Sequence, residues 1–151
     1  MHIVTHSDTG FNNEVQEHSR NGAHICLSKE DDCPHWNGVL LTLASTMKPV
    51  YSLAAEAELA ALYVTAKTMV TIHQLLVEMS WPQGRAAIQT DNSTANGVVK
   101  MTIVPQISKA MDLSLHWLRY REAKDQFWIY WAPGVNNRGI TAPSTTHPST
   151  T

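Results

Sequence analysis

The chain has 151 residues, of which 43% are hydrophobic and 16% charged, a composition that fits one globular domain and excludes a disordered chain. Its formal charge of −2 excludes a generally basic nucleic-acid-binding protein, although the C-terminal half is mildly basic. Two cysteines make no disulfide framework, no apolar run approaches the ~20 residues that cross a bilayer, and the N-terminus has no signal-peptide pattern. We therefore expect a soluble, intracellular protein with no membrane partner, and its compartment stays open.

Alternating strands and helices are predicted along the chain, in the order β-β-β-α-β-α-α-β. The clearest element is a long helix, which is rich in Ala and Leu, lacks Gly and Pro, and ends at the "WPQG" turn. The predicted strands cover residues 2–8, 23–28, 38–45, 85–91 and 126–133, and the predicted helices cover 53–80, 92–100 and 105–125. Three antiparallel strands followed by helix–strand alternation predict an α/β fold with a mixed five-stranded sheet flanked by helices.

Two aspartates stand at predicted strand ends, Asp8 in "THSDTG" and Asp91 in "IQTDNS". A carboxylate at the end of a buried strand lies where loops leave an open crevice in such sheets. Each aspartate alone also fits an ordinary turn or cap residue, and Asp91 taken alone is best interpreted as a helix N-cap. The two strand ends therefore suggest a site only in combination with a third group.

The long helix supplies two glutamates that helical geometry separates. Steps of 4, 11, 14 and 18 from Glu58 reach only apolar residues, whereas steps of 7, 11 and 18 from Glu56 reach Tyr63, Lys67 and Gln74. Glu58 is therefore predicted on the core-facing stripe and Glu56 on the wetter face. A carboxylate on an apolar stripe needs a partner because its desolvation is costly, although the helix dipole and nearby solvent at the first turn are an alternative.

Asp8, Glu58 and Asp91 together form a donor set that suits a hard divalent ion such as Mg²⁺. Two such ions about 4 Å apart can activate a water molecule and stabilise the leaving oxygen in phosphodiester hydrolysis. The residues by themselves therefore suggest a metal-dependent nuclease.

Five segments then identify a resemblance, in the order "HSDTGFNNE", "AAEAELAALY", "QTDNSTANGVV", "SKAMDLSLHWLRYRE" and "FWIYWAPG". Over about residues 3–137 the chain resembles the ribonuclease H domain that ends the reverse transcriptase polyprotein of copia-type LTR retrotransposons. The resemblance implies a ribonuclease H-like fold and hydrolysis of the RNA strand of RNA–DNA hybrids with two Mg²⁺ ions, for which Mn²⁺ can substitute. It also implies that Asp8, Glu58 and Asp91 are the first three catalytic and metal-binding acids. A reverse transcriptase domain of the parent polyprotein is then an expected partner.

The chain departs from this family after the aromatic strand. There the family has a Pro-Gly turn, an Asn and a short helix with Ala-Asp, whose Asp is the fourth metal ligand. In this chain Gly139 and Ile140 stand at the Ala-Asp positions, and residues 141–150 contain two prolines and six Ser or Thr residues, which oppose a helix. Asn136 and Asn137 offer only uncharged amide oxygens. We expect a ribonuclease H-like domain over residues 1–137 and an irregular, flexible tail over 138–151 that lacks the last helix.

Other polar and aromatic side chains receive lesser roles. Predicted nucleic-acid contacts are Asn92, Ser93, Arg119, Arg121, Lys124 and Asn137, although a solvated charged face explains the three basic residues equally well. Packing rather than chemistry is predicted for His116, Trp117, Trp128, Tyr130 and Trp131. Asp112 is expected to be exposed or to cap its helix.

Three functions are consistent with the sequence. The leading hypothesis is a ribonuclease H-type endonuclease that recognises the shape and 2′-hydroxyls of the hybrid. The alternative is a catalytically impaired or dead module that binds hybrid nucleic acid or a partner protein, because the fourth Asp is missing. A third is another nuclease of the same fold that acts on DNA.

Overall fold

The computed structural model describes residues 2–10, 18–28, 36–48, 54–101 and 109–132. Five strands and three helices occupy these residues in the predicted order. The strands are β1 His2–Gly10, β2 Arg20–Ser28, β3 Trp36–Thr46, β4 Ala86–Thr90 and β5 Phe127–Trp131, and the helices are α1 Ala54–Glu78, α2 Ser93–Val99 and α3 Lys109–Ala123. The start predicted for the last helix and the predicted tail over residues 138–151 lie outside the described residues.

The five strands form one mixed sheet in the order β3-β2-β1-β4-β5. β1 pairs antiparallel with β2, and β2 pairs antiparallel with β3. β4 lies parallel to both β1 and β5. The predicted mixed five-stranded sheet is therefore confirmed, and β1 lies at its centre with the end of β4 beside its own end.

The hydrophobic core lies between the sheet and the helices. Ile3, Ile25, Ile88 and Phe127 of four strands are at most 1% exposed, and α1 packs against both β1 and α3. β1 and β4 are also buried on their other face, where Val4, His6 and Gln89 are at most 5% exposed. Because both faces are packed, the ends of these two strands have little freedom to move.

α1 is also, among the described residues, the one helix long and apolar enough to cross a membrane by length and composition alone. α1 is nevertheless not a continuous apolar run of ~20 residues, because Glu56, Glu58, Lys67 and Glu78 interrupt it. Ten of its residues, including Leu59, Leu62 and Met69, are buried against the rest of the fold. These ten residues all lie between Glu56 and Met69, so the N-terminal part of α1 packs in the core.

The Glu122 side chain of α3 contacts both β5 and the residue that follows α2. Its carboxylate accepts a hydrogen bond from the backbone N–H of Ile129 in β5 at 3.0 Å, and it forms an ion pair with Lys100 just after α2. The Glu122 side chain is 13% exposed, so solvent replaces these contacts poorly.

We expect the substitution Glu122→Ala to lower the free energy of unfolding by about 2 kcal/mol, because the Ile129 N–H loses its acceptor. Urea-induced unfolding measures this change. Glu78→Ala is the matched control, because Glu78 is an exposed helix glutamate that accepts a hydrogen bond from the side chain of Gln74 at 3.3 Å. Equal losses in the two variants would contradict the role assigned to Glu122.

Candidate metal centre

The three predicted acids meet at the end of the sheet where β1 and β4 finish. The parallel register of these strands pairs Ser7 with Thr90, so Asp8 and Asp91 follow at the same edge. Glu58 reaches this edge from the second turn of α1. One ligand oxygen from each of the three carboxylates lies within 4.8 Å of the others. The structure therefore brings together the acids that the sequence places far apart.

Burial and mutual repulsion dominate the electrostatics of this cluster. Asp8 is 8% exposed and Glu58 is 5% exposed. Burial, then the charges of Asp91 and Asp8, raise the pKa of Glu58 to about 8, although interactions with Thr9 oppose the rise. The pKa of Asp8 is also raised, first by burial and then by Asp91, against a hydrogen bond from the Thr9 N–H at 2.7 Å. Three carboxylates this close need either bound protons or a cation.

The donor set fits a divalent cation. Glu58 Oε2 is buried and has no hydrogen-bond partner among the described residues, as expected for an oxygen that binds a cation. Asp8, Glu58 and Asp91 line an open pocket of about 220 Å³ with Thr9, Ala54 and Asn92, which leaves room for hydrated ions. All available charged donors are oxygens, the ligands that Mg²⁺ and Mn²⁺ prefer.

Asn92, and not Asp91, caps α2. The Asn92 side chain accepts a hydrogen bond from the Ala95 N–H at 2.9 Å, and the Asn92 N–H donates to Thr90 Oγ1 at 3.2 Å. The interpretation of Asp91 as an N-cap is therefore wrong, because the helix begins one residue later than that role requires. The Asp91 carboxylate stays available for a cation.

Comparison with known proteins addresses the fold. Neither a protein-family model nor a curated protein sequence matches the chain. Among solved structures, the chain is similar to LC11 ribonuclease H1, isolated from compost by a metagenomic approach, with a TM-score of 0.64, 12% identity and coverage of 90% of this chain and 87% of that one. It is also similar to the N-terminal ribonuclease H domain of Rv2228c from Mycobacterium tuberculosis, with a TM-score of 0.61, 15% identity and 92% coverage of both chains.

The chain has a ribonuclease H fold. The prototype foamy virus protease–reverse transcriptase is a further similar structure, with a TM-score of 0.54 and 14% identity. There the match covers 91% of this chain but 18% of the viral one, so a ribonuclease H fold is one part of that larger polypeptide. Identities this low establish the fold alone.

Glu56 is buried in the structure, contrary to the prediction. Helical periodicity predicts it on the wetter face, yet it is 8% exposed and almost as buried as Glu58. Its helical neighbours Lys67 and Gln74 are exposed as predicted. Periodicity describes an isolated helix, whereas the burial of a first-turn residue depends on the rest of the chain around the helix end. Glu56 is not part of the carboxylate cluster.

Three basic residues predicted to contact nucleic acid lie on or directly after α3, and each contacts another residue of the protein. Arg119 donates to the Val98 carbonyl at 2.5 Å, and Arg121 donates to Gln126 Oε1 at 2.9 Å while its guanidinium lies 5.2 Å from the Trp117 ring centroid. Lys124 is exposed and lies 5.6 Å from the Tyr120 ring centroid. The Arg119 contact links α3 to α2, whereas the ring contacts of Arg121 and Lys124 are with residues of α3 itself.

The remaining predicted contacts divide between the pocket and the undescribed chain. Asn92 lines the pocket, and the exposed Ser93 begins α2 beside it. Asn137 lies outside the described residues. A role in nucleic-acid binding stays a prediction for the whole set.

Packing is the wrong prediction for several of the remaining side chains. His116 is exposed and pairs with Asp112 at 3.6 Å on the outer face of α3, where Asp112 is exposed as expected. Trp128 and Trp131 are 38% and 47% exposed, because β5 is an edge strand whose second face and last residue extend beyond the core. Trp117 and Tyr130 are half-buried and pack as predicted. The Trp117 ring lies 5.4 Å from that of Tyr63. Tyr130 stacks on Trp128 at 4.7 Å.

Sequence reasoning missed two groups that donate hydrogen bonds to residues of the cluster. The Thr9 N–H holds Asp8 Oδ1, and the Trp131 indole nitrogen donates to the Asp91 carbonyl at 3.0 Å. A backbone donor leaves no signal in a sequence. In the sequence, Trp131 is simply one residue of an aromatic strand, a pattern that is typical of packing.

Proposed function

We propose that this chain is a divalent-metal-dependent endonuclease of the ribonuclease H type, which hydrolyses the RNA strand of RNA–DNA hybrids. The observation that carries the proposal is the cluster of Asp8, Glu58 and Asp91, whose ligand oxygens lie within 4.8 Å of one another at the strand ends of a ribonuclease H fold. LC11 ribonuclease H1, also solved in complex with an RNA/DNA hybrid, matches the chain with a TM-score of 0.58 and 11% identity, which supports the hybrid as substrate.

The three carboxylates share one part in this mechanism, which is to bind the metal ions. Asp8, Glu58 and Asp91 hold the ions, for which we propose two Mg²⁺ with Mn²⁺ as a substitute. When bound, such ions supply a hydroxide nucleophile and stabilise the negative charge on the departing 3′ oxygen. Glu58 must release its proton to bind a cation, because its pKa of about 8 keeps it largely protonated at neutral pH. The Thr9 N–H keeps one oxygen of Asp8 in place.

The substrate is selected by its shape and sugar groups. The 2′-hydroxyl distinguishes RNA from DNA at a cleaved strand, and base edges need not be read. Asn92 and Ser93 at the start of α2 are the proposed contacts nearest the carboxylates. The foamy virus similarity supports an origin within a larger reverse transcriptase polypeptide, and a copia-type element is the proposed source.

A second candidate function rests on one observation in the sequence. No acidic residue follows Asp125, and Ile140 stands where the resemblance places the fourth metal ligand. Loss of a charged ligand weakens a metal site, so the second candidate is a module that binds the hybrid without cleaving it.

A cleavage assay on end-labelled RNA–DNA hybrid tests the proposal directly. We expect cleavage of the RNA strand in Mg²⁺ or Mn²⁺, loss of cleavage when EDTA removes the metal, and no cleavage of the matching DNA duplex. Hybrid binding without cleavage in either metal would instead support the second candidate. In that case the Ile140→Asp variant is expected to acquire activity. Cleavage that EDTA leaves unchanged would contradict the metal-dependent mechanism.

A further inference from the structure

Of the three clustered carboxylates, Asp91 has the least support from regular structure. Asp8 belongs to β1 and Glu58 to α1, whereas Asp91 lies in a bend between Thr90, the last residue of β4, and Asn92, the N-cap of α2. Its carboxylate must nevertheless stay near the other two for them to share a cation. The position of the Asp91 backbone is therefore set by hydrogen bonds of the bend itself.

Those hydrogen bonds come from both sides of the bend. The Ala132 N–H donates to the Thr90 carbonyl at 3.0 Å, and the Asn92 N–H donates to Thr90 Oγ1 at 3.2 Å. Between them, the Trp131 indole Nε1–H donates to the Asp91 carbonyl at 3.0 Å. Among the described residues, Trp131 is the side chain that bonds to the backbone of Asp91.

The placement of Trp131 is not explained by packing. Phe127 and Ile129, which precede it at alternate positions in β5, are at most 1% exposed, whereas Trp131 is 47% exposed. Burial of apolar surface therefore accounts for the positions of Phe127 and Ile129 better than for that of Trp131. Its indole N–H, however, holds one of the metal-binding residues.

We propose that Trp131 is a positioning residue for the metal centre, which acts through its indole N–H on the Asp91 backbone. The inference rests on the metal site of the proposed function. Groups that orient a metal ligand from outside the coordination sphere commonly change metal affinity by 10–100-fold when they are removed. Because this hydrogen bond acts on the backbone and not on the carboxylate itself, we expect an effect at the lower end, about tenfold.

The test is a calorimetric titration of the whole chain with Mn²⁺ in the absence of nucleic acid. Trp131→Phe keeps a ring and removes the donor, and we expect it to weaken Mn²⁺ binding about tenfold. Trp128→Phe is the matched control, because Trp128 is exposed on the same strand and makes no described hydrogen bond through its indole nitrogen. It should bind Mn²⁺ as the unmodified chain does, with a thermal unfolding midpoint close to that of Trp131→Phe.

A second variant separates the hydrogen bond from the shape of the ring. Benzothienylalanine at position 131 preserves the bicyclic outline and replaces the N–H with sulfur, so we expect it to weaken Mn²⁺ binding as Trp131→Phe does. Full affinity in this variant would overturn the inference, even if Trp131→Phe folds poorly.

The outcomes also distinguish this inference from the proposed function. If the unmodified chain binds no Mn²⁺, both the metal-dependent function and the positioning role fail. If it binds Mn²⁺ and Trp131→Phe binds equally well, only the positioning role fails. A loss of hybrid affinity with unchanged Mn²⁺ affinity would also overturn it, because Trp131 would then be a surface contact for nucleic acid.

Discussion

Replacement of Asp91 with Asn is expected to lower the rate of hybrid cleavage at least about 1,000-fold in Mg²⁺, which corresponds to about 4 kcal/mol of lost transition-state stabilisation. Asn keeps the size of the side chain but removes the charge that the metal binds. Asp91 also raises the pKa of both Asp8 and Glu58, so its neutralisation should leave the fold intact and remove repulsion from the metal-free cluster. Single-turnover cleavage with excess protein over hybrid measures the rate.

Asp112→Asn is the control for this substitution. Asp112 is an exposed aspartate on α3 that pairs with His116 and does not belong to the carboxylate cluster. We expect Asp112→Asn to retain the activity of the unmodified chain within about twofold. Cleavage by Asp91→Asn at more than a tenth of the unmodified rate would contradict the assignment of the metal site.

Glu58 is expected to make the metal-free protein less stable as the pH rises. Its pKa is raised from 4.5 to about 8 in the folded chain, so the folded state retains a proton that the unfolded state has lost. The stabilisation is thus fully present below pH 4.5, declines as pH rises above it, and is lost once pH exceeds about 8. A pKa shift of this size contributes at most about 5 kcal/mol to the free energy of unfolding. Water that enters the site when Glu58 ionises reduces this contribution.

Urea unfolding of the metal-free protein from pH 5 to pH 9 checks this expectation. The free energy of unfolding should decline with rising pH in the unmodified chain, and much less in Glu58→Gln, which should be the more stable of the two at pH 9. Mg²⁺ should restore stability at pH 9 to the unmodified chain and not to this variant, because the cation replaces the lost proton.

Glu56→Gln is a closely matched control for Glu58→Gln. Glu56 lies on the same helix with nearly the same burial, and it is not part of the cluster. Its variant should keep the pH dependence and the Mg²⁺ response of the unmodified chain. The same pH profile in Glu58→Gln and in the unmodified chain would contradict the raised pKa.

Local sequence patterns were enough to predict the type and order of the helices and strands in this chain. The helix predicted over residues 53–80 is found at Ala54–Glu78, because a Gly- and Pro-free run rich in Ala and Leu has few alternatives to a helix. The first three strands are longer in the structure than in the prediction, and the last two are shorter. β2, for example, begins at Arg20 because its first residues pair with the end of β1. Pairing between distant segments lengthens a strand, and single-sequence periodicity carries no information about it.

The sequence by itself therefore determined the order of the elements and the mixed five-stranded sheet, because residue types and short spacings encode them. It also predicted the three acids that the structure brings together. Only the tertiary structure decided the burial of Glu56, the N-cap at Asn92 and the exposure of His116, since each depends on which other segment packs nearby. The same holds for Trp131, whose hydrogen bond to Asp91 joins residues 40 positions apart. This hydrogen bond forms because β4 and β5 pair with Thr90 opposite Trp131, and no local pattern in the chain specifies that register.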